Sequence, residues 1–229
     1  MLEALKREVY EANMLLPAMG LVQFTWGNAS AIDRQSGMVV IKPSGVSYED
    51  LTPEKMVVVR PDGSVAEGDL RPSSDTPTHL VLYRSFPQIG GVVHTHSKFA
   101  TATAQARLPI PAYGTTHADY FFGEIPCTRL LTAEEVAEAY EANTGEVIAK
   151  TFGARDPMAI PGVLAAGHGP FSWGKNAIDA AHNAGYLEIV AQMAMTTRQL
   201  CPDAQPLPPY VLEKHYLRKH GKNAYYGQK

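Results

Sequence analysis

Apolar residues recur near the start of the chain at the spacing of an amphipathic helix. Their intervals alternate between three and four residues, which places them on one helical face. These residues are Leu2, Leu5, Val9, Ala12 and Leu16. Pro17 is expected to end the helix, because proline lacks the amide hydrogen that continues the backbone ladder.

After Pro17 the pattern changes to short runs rich in apolar and β-branched residues. Glycine-bearing or polar turns separate the runs, and such close succession favours antiparallel pairing, because parallel strands need long crossover connections. The strands predicted in this part are residues 21–25, 30–34, 38–42 and 56–60.

Helical and extended patterns alternate in the rest of the chain. Ser73 and Ser74 precede an acid and a proline, which is typical of a helix start, and this helix is expected to end near residue 86. Thr132 and Glu135 have the spacing of a capping box. Further predicted strands are 89–96, 147–152 and 162–166, and further predicted helices are 97–106, 176–200 and 209–220.

This order of elements predicts an α/β fold. We expect one three-layer α/β/α domain over residues 1–229, with a central, largely antiparallel sheet and helices on both of its faces. A chain of 229 residues could also form two small domains. However, the sequence contains no internal repeat, no low-complexity linker and no convincing boundary.

Charge and composition exclude several classes of protein. Lys+Arg 20 against Asp+Glu 23 gives a net charge of −3, so no basic field attracts nucleic acid or a membrane surface. No apolar stretch approaches the about 20 residues of a transmembrane helix. The charged N-terminus lacks the apolar core of a signal peptide. Cys127 and Cys201 are not spaced as a metal or redox motif and fit a reducing compartment. We therefore expect a cytoplasmic protein.

The histidines carry the candidate metal chemistry. His94 and His96 end a predicted strand two residues apart, so their side chains project from one face. His168 follows another short strand and lies between two glycines. Two imidazoles from one strand end and one from another match the three-ligand pattern of catalytic zinc sites, and Asp75 is a fourth candidate. Taken alone, each motif also fits histidines that only form hydrogen bonds.

Three turns are rich in small hydroxyl, amide and glycine groups. They are Gly27-Asn28, Ser44-Gly45 and Ser73-Ser74. Backbone N–H groups and short donors in such turns suit a phosphate, and Lys42 could add a positive charge. The alternative is that they are ordinary turns, a helix cap and a solvated lysine. None matches a nucleotide-binding fingerprint.

Taken together, these segments resemble the class II, metal-dependent sugar-phosphate aldolase and epimerase family over nearly the whole chain. The motifs that carry the resemblance are TWGN at 25–28, IKPSGV at 41–46, PSSDTPTH at 72–79, VHTHS at 93–97, GTTHADY at 114–120 and KHYLRKHG at 214–221. The resemblance implies a homotetramer with active sites between neighbouring subunits.

The resemblance also implies the site residues. His94, His96 and His168 would bind one divalent ion per subunit, usually zinc although manganese or cobalt also fit, with Asp75 beside them. Asp119 and Tyr226 would be the acid/base pair. The three small-residue turns would bind the substrate, chiefly its phosphate. Glu141 and His215 are weaker candidates that could close or orient the site.

The implied chemistry is breakage and re-formation of the C3–C4 bond of a sugar phosphate. C4 is not adjacent to the C2 carbonyl, so deprotonation at C4 cannot invert its configuration. Cleavage of C3–C4 instead needs an electron sink and a proton carrier on each face of the aldehyde that forms. Asp75 stands where the aldolases of the family carry glutamate, which favours a 4-epimerase of a pentulose phosphate. The alternatives are an aldolase for an L-fuculose-phosphate-like substrate and, less favoured, a non-catalytic scaffold module as in adducin.

Overall fold

Seven strands form one sheet in the order β4-β3-β2-β1-β5-β7-β6, and every neighbouring pair is antiparallel. The computed structural model describes residues 2–226. The strands are β1 (Asn28–Ile32), β2 (Val39–Ile41), β3 (Val57–Val59), β4 (Val65–Glu67), β5 (Gly91–His94), β6 (Gly162–Ala165) and β7 (Gly169–Gly174). The helices are α1 (Glu3–Ala18), α2 (Thr76–Ser85), α3 (Lys98–Gln105), α4 (Thr115–Ala118), α5 (Ala133–Phe152), α6 (Ala177–Leu200) and α7 (Pro209–His220).

Helices cover both faces of the sheet, and the strand residues alternate between two apolar clusters. Val57 and Val92 pack in a cluster with residues of α2, α5 and the second half of α6. Val58 and Val93 pack in the other cluster, with α1 and the first half of α6. Successive side chains of a strand point to opposite faces, so each central strand is buried on both sides. The predicted three-layer α/β architecture is confirmed.

Two predicted strands are absent. Residues 21–25 form turns, with Phe24 at a left-handed φ of 55°. Residues 147–152 are the last turns of α5, whose predicted capping box is present at Thr132 and Glu135. A short apolar run does not distinguish a buried strand from the inner face of a helix, and here the helix that begins upstream decides.

Strands β4 and β7 were not predicted. The β7 segment reads GPFSWG, and its proline and glycines are typical of a loop. It nevertheless pairs with β5 on one side and β6 on the other, and its core residue Trp173 is fully buried.

Between residues 2 and 226 no helix has the length and apolar character needed to cross a bilayer.

The register of the central strands brings the candidate site together. Asn28 begins β1 directly opposite His94, which ends β5. His94 is in turn opposite Phe171 of β7. His168 lies in the turn between β6 and β7, so neighbouring strands deliver three segments that are far apart in sequence to one end of the sheet.

Candidate active site

Three imidazoles lie close enough together to hold one metal ion. The ligand atoms of His94, His96 and His168 all lie within 4.8 Å of one another. His94 Nε2 and His96 Nε2 are 3.0 Å apart. Gly169 allows this approach, because a Cβ there would lie 2.8 Å from the carbonyl oxygen of Thr95.

Hydrogen bonding and burial prepare His94 to act as a ligand. Its Nδ1–H donates to the carbonyl oxygen of Pro170 at 2.9 Å, so Nε2 is the nitrogen that faces the other imidazoles. The ring stacks on Phe171 at a centroid distance of 4.2 Å. Burial lowers the pKa of His94 to about 3 and also lowers the pKa of His96 and His168. Neutral imidazoles are the form that binds metals, so the donor set fits a divalent ion.

Asp75 lines the cavity beside the three histidines. It is the N-cap residue of α2, but its side chain makes no capping hydrogen bond. Its Oδ2 instead accepts a hydrogen bond of 2.7 Å from the Asn28 side chain. Burial acts to raise the pKa of Asp75, but the neighbouring His94 and the Asn28 hydrogen bond contribute to a net lowering. The carboxylate is therefore ionised at neutral pH, and the Asn28 side chain holds it in place by a hydrogen bond.

One cavity of about 580 Å³ joins the imidazoles to all three small-residue turns. The site residues predicted from the sequence that line it are Gly27, Asn28, Lys42, Ser44, Gly45, Ser73, Ser74, Asp75, His94, His96 and His168. Gly27 and Gly45 have φ values of 74° and 71°, a region that glycine adopts without strain. The cavity has the size of a small-molecule site.

Lys42 contributes a buried ammonium group to this cavity. Its side chain is almost fully buried, and its Nζ donates to the carbonyl oxygens of Thr25 at 3.3 Å and Val46 at 3.0 Å. The ring of Tyr48 lies 5.0 Å from Nζ. No carboxylate within residues 2–226 forms an ion pair with Lys42. Burial lowers its pKa to about 8, and an anionic ligand would supply the missing partner.

The predicted acid/base residues lie together but outside this cavity. The Asp119 carboxylate accepts hydrogen bonds from Arg218 at 2.7 Å and 3.1 Å and lies 3.1 Å from His215 Nδ1. Tyr226 is 59% exposed, and its ring lies over Arg218 and Lys219. Neither Asp119 nor Tyr226 lines the cavity. Within one chain the structure therefore separates the acid/base pair from the histidines.

Four residues that line the cavity were not predicted as site residues: Thr25, Trp26, Pro43 and Tyr140. Trp26 is 51% exposed, and its ring lies 6.2 Å from that of His96. Tyr140 lies in α5 after Ala139, whose φ of −162° and ψ of 76° interrupt the helix. The Tyr140 hydroxyl lies 3.4 Å from His168 Nδ1. The TWGN motif was a signal for Trp26, whereas nothing local marks the kink. Glu141, a weaker candidate, also lines the cavity.

The chain is similar to known proteins over its whole length. The family model described as "Class II Aldolase and Adducin N-terminal domain" matches residues 7–195. The chain is 60% identical, over 228 residues and 100% of both chains, to L-ribulose-5-phosphate 4-epimerase UlaF from Salmonella paratyphi C (strain RKS4594) and from Salmonella typhi.

Solved structures show the same fold. An L-fuculose 1-phosphate aldolase superposes with a TM-score of 0.78 at 24% identity, covering 93% of this chain and 94% of that one. The L-fuculose-1-phosphate aldolase of Thermus thermophilus has a TM-score of 0.68 at 24% identity, covering 89% and 98%.

Proposed function

The chain belongs to the class II aldolase and adducin N-terminal domain family, and on that basis we propose that it interconverts L-ribulose 5-phosphate and D-xylulose 5-phosphate. The observation that carries the proposal is the single cavity that combines three imidazoles with three small-residue turns and a buried lysine. The full-length similarity to curated L-ribulose-5-phosphate 4-epimerases supports the choice of substrate.

The reaction breaks one carbon–carbon bond and re-forms it. Removal of the C4 hydroxyl proton and cleavage of C3–C4 give the enediolate of dihydroxyacetone and glycolaldehyde phosphate. The aldehyde then rotates, the bond re-forms on its other face, and a proton returns to the new hydroxyl. A divalent ion held by His94, His96 and His168 would supply Lewis-acid stabilisation of the negative charge. We propose zinc, with manganese or cobalt as alternatives that the same ligands accept.

The three turns and Lys42 would hold the phosphate while the aldehyde rotates. Ser73-Ser74 lies just before α2, where the positive end of the helix dipole favours an anion. The Lys42 ammonium lines the same cavity and has no carboxylate partner among residues 2–226. A fixed phosphate would let the aldehyde group turn without leaving the site.

Asp119 and Tyr226 would exchange protons on the two faces of the aldehyde. Both lie outside the cavity of their own chain, so we propose that a neighbouring subunit of a homotetramer delivers them. Mixing His96→Asn and Tyr226→Phe subunits would test this arrangement, because some mixed sites would contain neither substitution. Activity above the level of the separate variants is expected, and no recovery would argue against shared sites.

Membership in the family also supports proposals on the domain organisation, the cellular compartment and the partners. We propose that residues 1–229 form one domain and that the protein works in the cytoplasm on a free sugar phosphate, without nucleic-acid or membrane partners.

A product assay on L-ribulose 5-phosphate tests the proposed function. The zinc-loaded protein should form D-xylulose 5-phosphate, and a chelator should abolish turnover until zinc is restored. The His96→Asn protein is the matched control for contaminating activity. Persistent accumulation of free glycolaldehyde phosphate would instead indicate the aldolase alternative. A metal-loaded protein inert toward every pentulose phosphate would contradict the epimerase proposal and favour the non-catalytic alternative.

A further inference from the structure

A fully buried chain of three polar side chains runs beneath the candidate metal site. The Tyr83 hydroxyl lies 2.7 Å from Ser30 Oγ, and Ser30 Oγ lies 2.7 Å from His79 Nδ1. The residues are 2%, 0% and 0% exposed, respectively. Buried polar groups are costly unless each donor has an acceptor, so the direction in which the hydrogen bonds of this chain are donated can be worked out.

The direction of the chain follows from its Tyr83 end. Among the described residues, Ser30 Oγ is the polar atom within hydrogen-bond distance of the Tyr83 hydroxyl. A buried O–H group without an acceptor is costly, so the phenol donates its hydrogen to Ser30 Oγ. Ser30 in turn donates to His79 Nδ1. Burial lowers the pKa of His79 to about 4, so the ring is neutral and its single N–H is on Nε2.

The Nε2–H group of His79 is the end of the chain that lacks a protein acceptor within residues 2–226. It is buried and has no hydrogen-bond partner among the described residues. His79 follows Asp75 by one helical turn, and its backbone N–H donates to the Asp75 carbonyl oxygen at 3.1 Å. Residues four apart share a helix face, and the two side chains interact electrostatically. The His79 ring also lies edge-on, 6.2 Å from Phe171, on which His94 stacks.

We propose that His79 is a positioning residue for Asp75, because the Tyr83–Ser30 chain fixes its imidazole as the Nε2–H tautomer and leaves a buried, unpartnered N–H group one helical turn from the carboxylate. Asn28 holds the other side of the carboxylate at 2.7 Å. Asp75 would then keep one orientation beside the three imidazoles. The inference rests on the proposed function only for the catalytic use of Asp75, since the tautomer and its effect on metal binding are properties of the protein alone.

Long-range ¹H–¹⁵N spectra of protein labelled with ¹⁵N-histidine would report the tautomer directly. The His79 signal is identified by its loss in His79→Gln. The expected result is the Nε2–H form in the wild type and a mixture of tautomers in Ser30→Ala. An Nδ1–H tautomer in the wild type would overturn the inference.

Metal affinity and kinetics provide the second readout. Removing a hydrogen-bond partner of a metal ligand typically weakens metal binding about 10- to 100-fold. Ser30 acts through His79 and Asp75, so Ser30→Ala should raise the zinc Kd by roughly tenfold, the low end of that range, and lower kcat. Ser172→Ala is the matched control, because it deletes an equally buried serine hydroxyl that donates to Ala180 instead. Equal zinc Kd and kcat in the two variants would overturn the inference.

A third pair of variants remains informative if Ser30→Ala does not fold. His79→Gln keeps an N–H donor near the Nε2 position, and His79→Leu removes it. Zinc affinity should be largely retained in the first and lost in the second, and equal loss in both would contradict a positioning role. If the wild type fails to epimerise while these differences in zinc affinity persist, the proposed function fails and the inference about His79 stands.

Discussion

Replacement of Lys42 by methionine should stabilise the protein at neutral pH and weaken substrate binding. The Lys42 ammonium is buried without a carboxylate partner in the described chain, and burial lowers its pKa from 10.5 to about 8. Each pH unit between these two values corresponds to about 1.4 kcal/mol, so the buried charge costs on the order of 3 kcal/mol at pH 7. Methionine keeps a similar shape and carries no charge.

The sign of the effect depends on pH. Below about pH 8 the lysine is charged in both the folded and the unfolded state, and the cost of burying the charge is fully present. Between about pH 8 and 10.5 the folded state binds fewer protons than the unfolded state, so the stability of the wild type rises relative to the variant. The stability advantage of Lys42→Met should therefore shrink by about 3 kcal/mol between pH 7 and pH 10.5.

Urea unfolding of the wild type and Lys42→Met at about pH 7 and pH 10.5 measures this change. The other groups titrate equally in the two proteins, so their contributions to the difference cancel. Lys98→Met replaces an exposed lysine and is the control, for which the difference should stay flat. In activity assays the lost hydrogen bond to a charged group, about 1.5–3 kcal/mol, should raise KM for the sugar phosphate by roughly 10- to 100-fold. A stability difference independent of pH, or an unchanged KM, would refute the reasoning.

Three further predictions concern the metal, a turn and the tail. His96→Asn should lose zinc and activity together, as measured by elemental analysis and product assay, and full zinc occupancy would remove His96 from the ligand set. Gly27→Ala should lower the unfolding free energy by about 2–4 kcal/mol, since left-handed strain and overpacking add; its Cβ would lie 2.6 Å from Val22 Cγ1. Gly20→Ala, at a φ of +69° with no neighbour within 4 Å, should show the strain alone, and an equal loss in both would contradict the steric part. Tyr226→Phe should slow epimerisation with zinc content intact, whereas unchanged turnover would exclude Tyr226 from the reaction.

Local sequence pattern was sufficient for much of the fold and of the cavity. The capping box at Thr132 and the spacing of His94 and His96 are encoded in neighbouring residues, and local chemistry specifies them. The small-residue turns were identified for the same reason, because glycine and hydroxyl side chains mark such conformations wherever they occur. Each of these features needs only a few consecutive residues.

Long-range pairing decided what the sequence left open. Strand β7 forms from a proline- and glycine-containing segment because β5 and β6 flank it, and this pairing places the His168 turn beside β5. The end of α5 is helical because packing and the upstream cap outweigh its short β-like run.

The sequence by itself thus determined which chemical groups the protein has: three imidazoles, an acid, small-residue turns and a lysine. Only the tertiary structure showed that one cavity collects them, that Lys42 lies there without a carboxylate partner in the described chain, and that Asp119 and Tyr226 lie elsewhere. The reason is physical, because residue type and local period fix conformation over a few positions, whereas burial and proximity depend on which distant segments pair.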